Sequence, residues 1–167
     1  MIGEIIHAGL GADAFVLVTS AFGKTRNIMT MGRHTVMEFT PSLVGCVIAA
    51  RNHSFGLVRG SSECVINLPT TKLTDQVVGV GNASGAEIDK FATFALTPQK
   101  AQRVGTPLIR ECHANFECKL ADDRLVGEYN FFIFEVVKAH VASAQHHHLS
   151  RRLHRSKISG LLGTCAS

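Results

Sequence analysis

Apolar positions along this chain fall in short runs separated by glycine, proline and Asx residues, the pattern of strands rather than of long helices. Ala14 to Thr19 is β-branched and apolar, and Ala21-Phe22-Gly23-Lys24 reads as a turn into a second strand, Thr25 to Met31, so a hairpin is predicted. After Pro41, Leu43 to Ala50 is apolar without alternation, as expected of a strand buried on both faces. Asn52-His53-Ser54 supplies helix N-caps ahead of Phe55, Leu57 and Val58, and Gly60 ends that short helix. Glu63 to Leu68 reads as a strand stopped by Pro69, Thr71 to Val78 as a helix closed by Gly79 and Gly81, and Ala86 to Phe94 as another short helix. Ile109 to Ala121 and Tyr129 to Val141 read as long strands joined around Asp122-Asp123-Arg124. Helices do not alternate regularly with strands. The predicted fold class is therefore mainly β, a closed antiparallel barrel of about six strands with short flanking helices.

Composition bounds this picture without altering it. The chain has 167 residues, of which 46% are hydrophobic and 18% charged, enough for one domain with a sizeable core. The formal net charge of +4 would hint at nucleic acid until it is located. No acidic residue follows Glu135, and Arg151, Arg152, Arg155 and Lys157 lie in a His/Arg/Ser-rich tail, which leaves residues 1–140 neutral. That tail has no aromatic side chain to stack bases, so no nucleic acid partner is expected. No apolar run approaches the length of a membrane helix, and the first residues lack the basic and apolar regions of a signal peptide, so a cytoplasmic protein without membrane contact is expected. Cys46, Cys64, Cys112, Cys118 and Cys165 form no C-x-x-C pair and read as free thiols, mostly among apolar neighbours.

Common chemical motifs fail on inspection. Gly79-Val80-Gly81-Asn82-Ala83-Ser84-Gly85 resembles a dinucleotide fingerprint, but Ser84 stands where the third glycine belongs and the segment follows a helix rather than a strand. The same serine is misplaced for a nucleophile elbow. His146-His147-His148 has no carboxylate or cysteine nearby to complete a metal site, and His113 reads as a structural strand histidine, so no metal is expected.

Three segments then stand out in order and spacing: Asn27-Ile28-Met29-Thr30-Met31-Gly32-Arg33-His34; Leu43 to Ile48 running into Asn52-His53-Ser54-Phe55; and Gly81-Asn82-Ala83-Ser84-Gly85 followed by Asp89-Lys90-Phe91. Together they resemble the successive motifs of the flavin reductase-like, FMN-binding split-barrel family. The similarity continues through Val104 to Ile109, Ala114 to Cys118 and Tyr129 to Val136. It implies a Greek-key split barrel over residues 1–141, followed by the basic tail, residues 142–167, which is expected to be disordered or to make a replacement contact. It also implies a homodimer with the flavin site built between subunits. The apolar excess of the composition agrees with dimerisation.

The resemblance assigns candidate cofactor positions. Ser54 and Lys90 match the phosphate side, beside Asn52 and His53, and a 5′-phosphate is well held by hydroxyl, N–H and cationic donors. Asn27, Met29, Thr30 and Met31 match the ring side, where backbone amides along that run meet the charge that grows on reduction. Asn82 and Ser84 lie in the third motif, and Tyr129 stands where relatives often place a histidine or another ring-bearing residue. Arg33 departs from the pattern, since relatives usually carry tryptophan there and this chain has none. An arginine at that position would stack on the ring or pair with phosphate, and its charge would raise the flavin potential. The expected function is an FMN-dependent oxidoreductase that takes electrons from NADH or NADPH and passes them to free flavin, an iron complex or a redox partner protein. Catalysis would rest on placement, with His34 and His53 as candidate helpers. The alternatives are a non-enzymatic electron carrier and a degenerate relative with weak flavin binding.

Overall fold

The computed structural model describes residues 10–11 and 14–142. The chain opens with the predicted hairpin, β1 (Val16–Phe22) and β2 (Thr25–Met31), which turn at Gly23 with φ +61°. The strands β3 (His34–Phe39) and β4 (Ser42–Val47) form a second hairpin, and the helix α1 (His53–Ser61) leads into β5 (Glu63–Leu68). A 3-10 turn at Thr71–Leu73 runs into α2 (Thr74–Asn82), followed by one helical turn, α3 (Lys90–Thr93). The short strands β6 (Pro98–Gln99) and β7 (Leu108–Ile109) pair with each other. Then come β8 (Ala114–Asp122), a helical turn α4 (Val126–Tyr129) and β9 (Phe131–Val141). Seven strands make one antiparallel sheet in the order β2-β1-β5-β8-β9-β4-β3, with β2 and β3 at its edges. Among the described residues no helix is long and apolar enough to cross a membrane.

The sheet curls around one core. Alternate residues such as Val16, Val18, Met29, Ile66, Phe116 and Phe134 pack inside, with the Phe132 and Phe134 rings stacked 5.8 Å apart. β1 and β2 are also covered on the outside, where Leu17 and Ile28 meet Val77, Val80 and Phe91 from α2 and α3. This double burial explains the unbroken apolar run at the start of β1, because no face of it meets water. It also brings the C-terminal end of α2 beside β2.

Local chemistry corrects several boundaries. Gly79 does not close α2, which continues to Asn82; a Cβ on Gly79 would lie 2.4 Å from the Phe94 ring, so glycine serves packing here. The helix predicted over Ala86 to Phe94 shrinks to α3, whose N-cap Asp89 accepts N–H bonds from Phe91 and Ala92. Tyr129 ends a helical turn closed by Asn130 at φ 55°, and the strand begins after it. β3 was not predicted from the sequence: His34 is buried but Met37, Glu38 and Phe39 are exposed, as edge strands allow. Residues 97–112 leave the sheet and are held to it by buried amides and a carboxylate. Asn67 Oδ1 accepts the N–H of Ile109 at 3.0 Å and Asn115 Nδ2 at 2.8 Å, and Glu117 accepts backbone N–H bonds from Gln102, Arg103 and Val104.

The four described cysteines, Cys46, Cys64, Cys112 and Cys118, are free and buried. Cys165 and the His/Arg-rich tail beyond Ala142 lie outside the described residues.

Candidate functional site

Where β2 forms the sheet edge, alternate N–H and C=O groups of the strand turn away from β1. A cavity of about 450 Å³ opens along that edge, within the usual range for small-molecule sites. Its walls are Asn27 and Met29–Arg33 on one side, Val47, Ala49 and Arg51–His53 on a second, and Gly81–Gly85 with Lys90 on a third. Arg33, Arg51 and Lys90 line it, and no Asp or Glu among the described residues does. The lining is therefore positively charged.

Lys90 is the buried cation, only 5% exposed. Its Nζ donates to the Val80 carbonyl at 2.9 Å, near the C-terminal end of α2 where helix carbonyls lack partners. An ammonium has three donors, so two remain for a ligand. Burial lowers its pKa to about 8, so Lys90 is mostly charged at neutral pH and easily biased by a bound anion.

Asn27 is the second buried polar wall. Its Nδ2 donates to Ser54 Oγ at 2.9 Å, while its Oδ1 is buried with no partner among the described residues. Flipping the amide would only exchange the roles, leaving the nitrogen unpaired instead. A buried amide oxygen with an unmet bond beside a cavity is costly unless a ligand group meets it. Ser54 itself is fully buried beneath Asn27 and does not line the cavity; its backbone N–H is capped by Asn52 Oδ1 at 2.9 Å. The structure thus gives Ser54 contact with the candidate site only through Asn27.

Of the other predicted residues, Met29, Thr30, Met31, Arg33, Asn52, His53, Asn82 and Ser84 all line the cavity. Thr30 does so with its hydroxyl proton already committed to the Val77 carbonyl at 2.6 Å, which ties β2 to α2 and leaves only its oxygen lone pairs toward a ligand. Two candidates are not brought together with the rest. Tyr129 is 68% exposed and outside the lining. His34 pairs across the sheet with Cys46, whose side chain belongs to the barrel core, and directly opposed residues share a face. Its ring is buried with neither nitrogen partnered among the described residues, and burial lowers its pKa. Sequence reasoning missed Arg51 and Gly85. Arg51 sits one residue before the Asn52 cap, and Gly85 approaches Asn27 so closely that a Cβ would lie 1.9 Å from Oδ1.

With this geometry in view, comparison with known proteins is informative. A family model described as "Flavin reductase like domain" matches residues 11–156, most of the chain, and the chain belongs to that family. An uncharacterized protein of Archaeoglobus fulgidus is 31% identical over 111 residues, 66% of this chain and 63% of the relative, so the chain spans less than two thirds of that relative's length. The fold matches the FMN-binding domain of a flavin reductases-like enzyme from Shewanella baltica, with TM-score 0.77 and 23% identity over 85% of this chain and 76% of that one. It also matches flavoredoxin of Desulfovibrio vulgaris, with TM-score 0.75 and 20% identity over 89% and 78% of the two chains. At these identities the solved structures establish the split-barrel architecture.

Proposed function

We propose that this flavin reductase-like domain holds FMN in the cavity beside β2 and moves electrons through it. The observation that carries the reading is a cavity with three cations, no carboxylate and an amide with one unmet bond. FMN offers what each of these lacks: an anionic phosphate, and both donors and acceptors on its ribityl chain and ring edge. The chemistry FMN supplies when bound is hydride acceptance from NADH or NADPH and electron release to free flavin, an iron complex or a redox partner protein.

The residues' own work is binding and placement. Lys90, with the backbone of Gly81–Gly85 beside it, holds the phosphate, and Ser84 adds a hydroxyl. Asn27, braced by Ser54, bonds the polar edge of the cofactor. The outward amides of β2 meet the ring edge where charge grows on reduction, and Met29 and Met31 flank that wall. Neither His34 nor His53 needs to move a proton at this site.

A homodimer accompanies this reading. Its support is apolar surface: Met37, Phe39, Leu125 and Tyr129 are exposed, and Phe131 lies over Gly45 on the outer face of β4 and β9. Gel filtration reads this directly, and a monomer at working concentration would refute it.

The main test is the absorption spectrum of the purified chain titrated with FMN, then with NADH and NADPH. A yellow protein that bleaches is the expected result. One that stays yellow is a carrier, and one that FMN cannot colour overturns the reading.

A further inference from the structure

The cavity's three cations are not equivalent. Lys90 is buried against the Val80 carbonyl, whereas Arg33 and Arg51 are exposed. These two arginines line the same cavity from segments that the backbone ties together. The Arg33 carbonyl accepts the Val47 N–H at 3.0 Å, so the link after β2 lies against the end of β4, from which the chain runs through Ala49 to Arg51. Neither guanidinium has an ion-pair partner among the described residues. The nearest carboxylate in sequence to Lys90, Asp89, is occupied in capping α3 and in a 3.5 Å contact with Arg26.

A phosphate monoester carries a charge of about −1.5 to −2 at neutral pH. Three cations with no lining carboxylate exceed that, so the cavity stays positive after its cofactor phosphate is in place, and the surplus lies at the exposed arginines. Guanidinium groups are planar forks that match phosphate and carboxylate oxygens in pairs. The buried Asn27 Oδ1, which has no partner among the described residues, is a second sign of a ligand at the same cavity, independent of charge.

We propose that Arg33 and Arg51 form a second anion site at the mouth of the cavity, which seats the negatively charged group of the substrate that meets the bound cofactor. This rests on the FMN reading and narrows it. The second substrate is selected for an anionic phosphate or carboxylate, and Arg33 replaces an aromatic ring wall with a charged one.

The test uses FMN-loaded protein and two probes, inorganic pyrophosphate and benzoate, followed by isothermal titration with flavin absorbance monitored in the same samples. The wild type is expected to bind one probe per chain while retaining FMN, with affinity falling as salt rises. Arg51→Gln should weaken that binding about ten-fold or more. Arg33→Gln should act likewise where it retains FMN, and Arg51→Gln alone decides otherwise. Tighter binding of pyrophosphate identifies a nucleotide substrate, and tighter binding of benzoate a small carboxylate. Expulsion of FMN by the probe would assign the arginines to the cofactor phosphate and overturn the proposal, as would no binding of either probe or affinity unchanged in Arg51→Gln. Failure of FMN to bind before any probe is added would instead strike the underlying cofactor reading.

Discussion

Two buried polar clusters, one at Glu117 on β8 and one at Asn27 and Lys90 beside β2, are finished differently. Around Glu117 each carboxylate oxygen is satisfied: backbone N–H groups of Gln102, Arg103 and Val104 donate to it, and the His140 ring is in contact. Burial alone would raise the Glu117 pKa, but the Gln102 N–H, His140 and the Arg103 N–H outweigh it and hold the carboxyl below its ordinary value. Around Asn27 and Lys90 the bonding is incomplete. Among the described residues one amide atom of Asn27 has no partner, and Lys90 has a single acceptor. A closed network holds a loop in place, whereas an open one is arranged around something else.

The sharpest way to break this comparison is to open the closed cluster. Glu117→Ala removes the anchor of residues 102–104 and leaves three N–H groups stranded. Breaking a buried charged network costs about 3–5 kcal/mol, and a matching fall in urea-unfolding stability is expected. The pH dependence has a fixed sign. The folded pKa is depressed, so this stabilisation is complete above the unfolded carboxyl value near 4.5 and is lost as pH falls through the folded value. Acid titration of unfolding should show a step in the wild type that Glu117→Ala lacks.

In the open cluster the same kind of deletion should reverse the outcome. Lys90→Met removes a buried ammonium and its desolvation penalty, so unfolding stability should hold or rise. FMN affinity should fall about 10- to 100-fold, the worth of a charge-assisted bond of roughly 1.5–3 kcal/mol. A variant that loses stability and keeps FMN would make Lys90 structural and reverse the contrast.

A subtler readout is proton linkage. The free Lys90 pKa is about 8, depressed by burial, and a bound phosphate would raise it. Below pH 8 both states are charged, so FMN affinity should be flat. Above it, affinity should fall by up to about ten-fold per pH unit until the bound-state value is passed. Fluorescence titration of FMN from pH 7 to 9.5 checks this, and Lys90→Met should flatten the curve.

How much of this was legible beforehand depends on whether the signal was local. The hairpin of β1 and β2, the Asn52 cap and the span of β5 follow from adjacent residues; the cap and β5 stand as predicted, and the hairpin forms with its turn narrowed to Gly23 and Lys24, since Ala21 and Phe22 pair within the strands. Gly79 misled because its reason is tertiary, the ring of Phe94. β3 was invisible because an exposed edge strand has no apolar alternation to read. Within the site, family motifs located most of the cavity wall, but only three-dimensional placement showed that Ser54 works beneath Asn27 and that Tyr129 stands apart. Arg51 was passed over because one arginine before a helix cap carries no signal until the fold sets it in the same cavity lining as Arg33 and Lys90.

The smallest perturbation tests the geometry of the open cluster without touching its charge. Gly85 has no positive φ requiring glycine, so Gly85→Ala leaves the backbone conformation permitted. The new methyl would meet Asn27 Oδ1 at 1.9 Å, and Asn27 must then swing away from Ser54. Loss of one neutral hydrogen bond is worth about 0.5–1.5 kcal/mol, so stability should change little. FMN affinity should drop several-fold, because the amide would no longer face the ligand. A double-mutant cycle with Asn27→Ala separates the causes. If Asn27 is the part displaced, Gly85→Ala should add almost nothing once Asn27 is gone. Additive losses would mean instead that the methyl intrudes on the cofactor itself, and the wall would be shaped by Gly85 rather than by the Asn27–Ser54 pair.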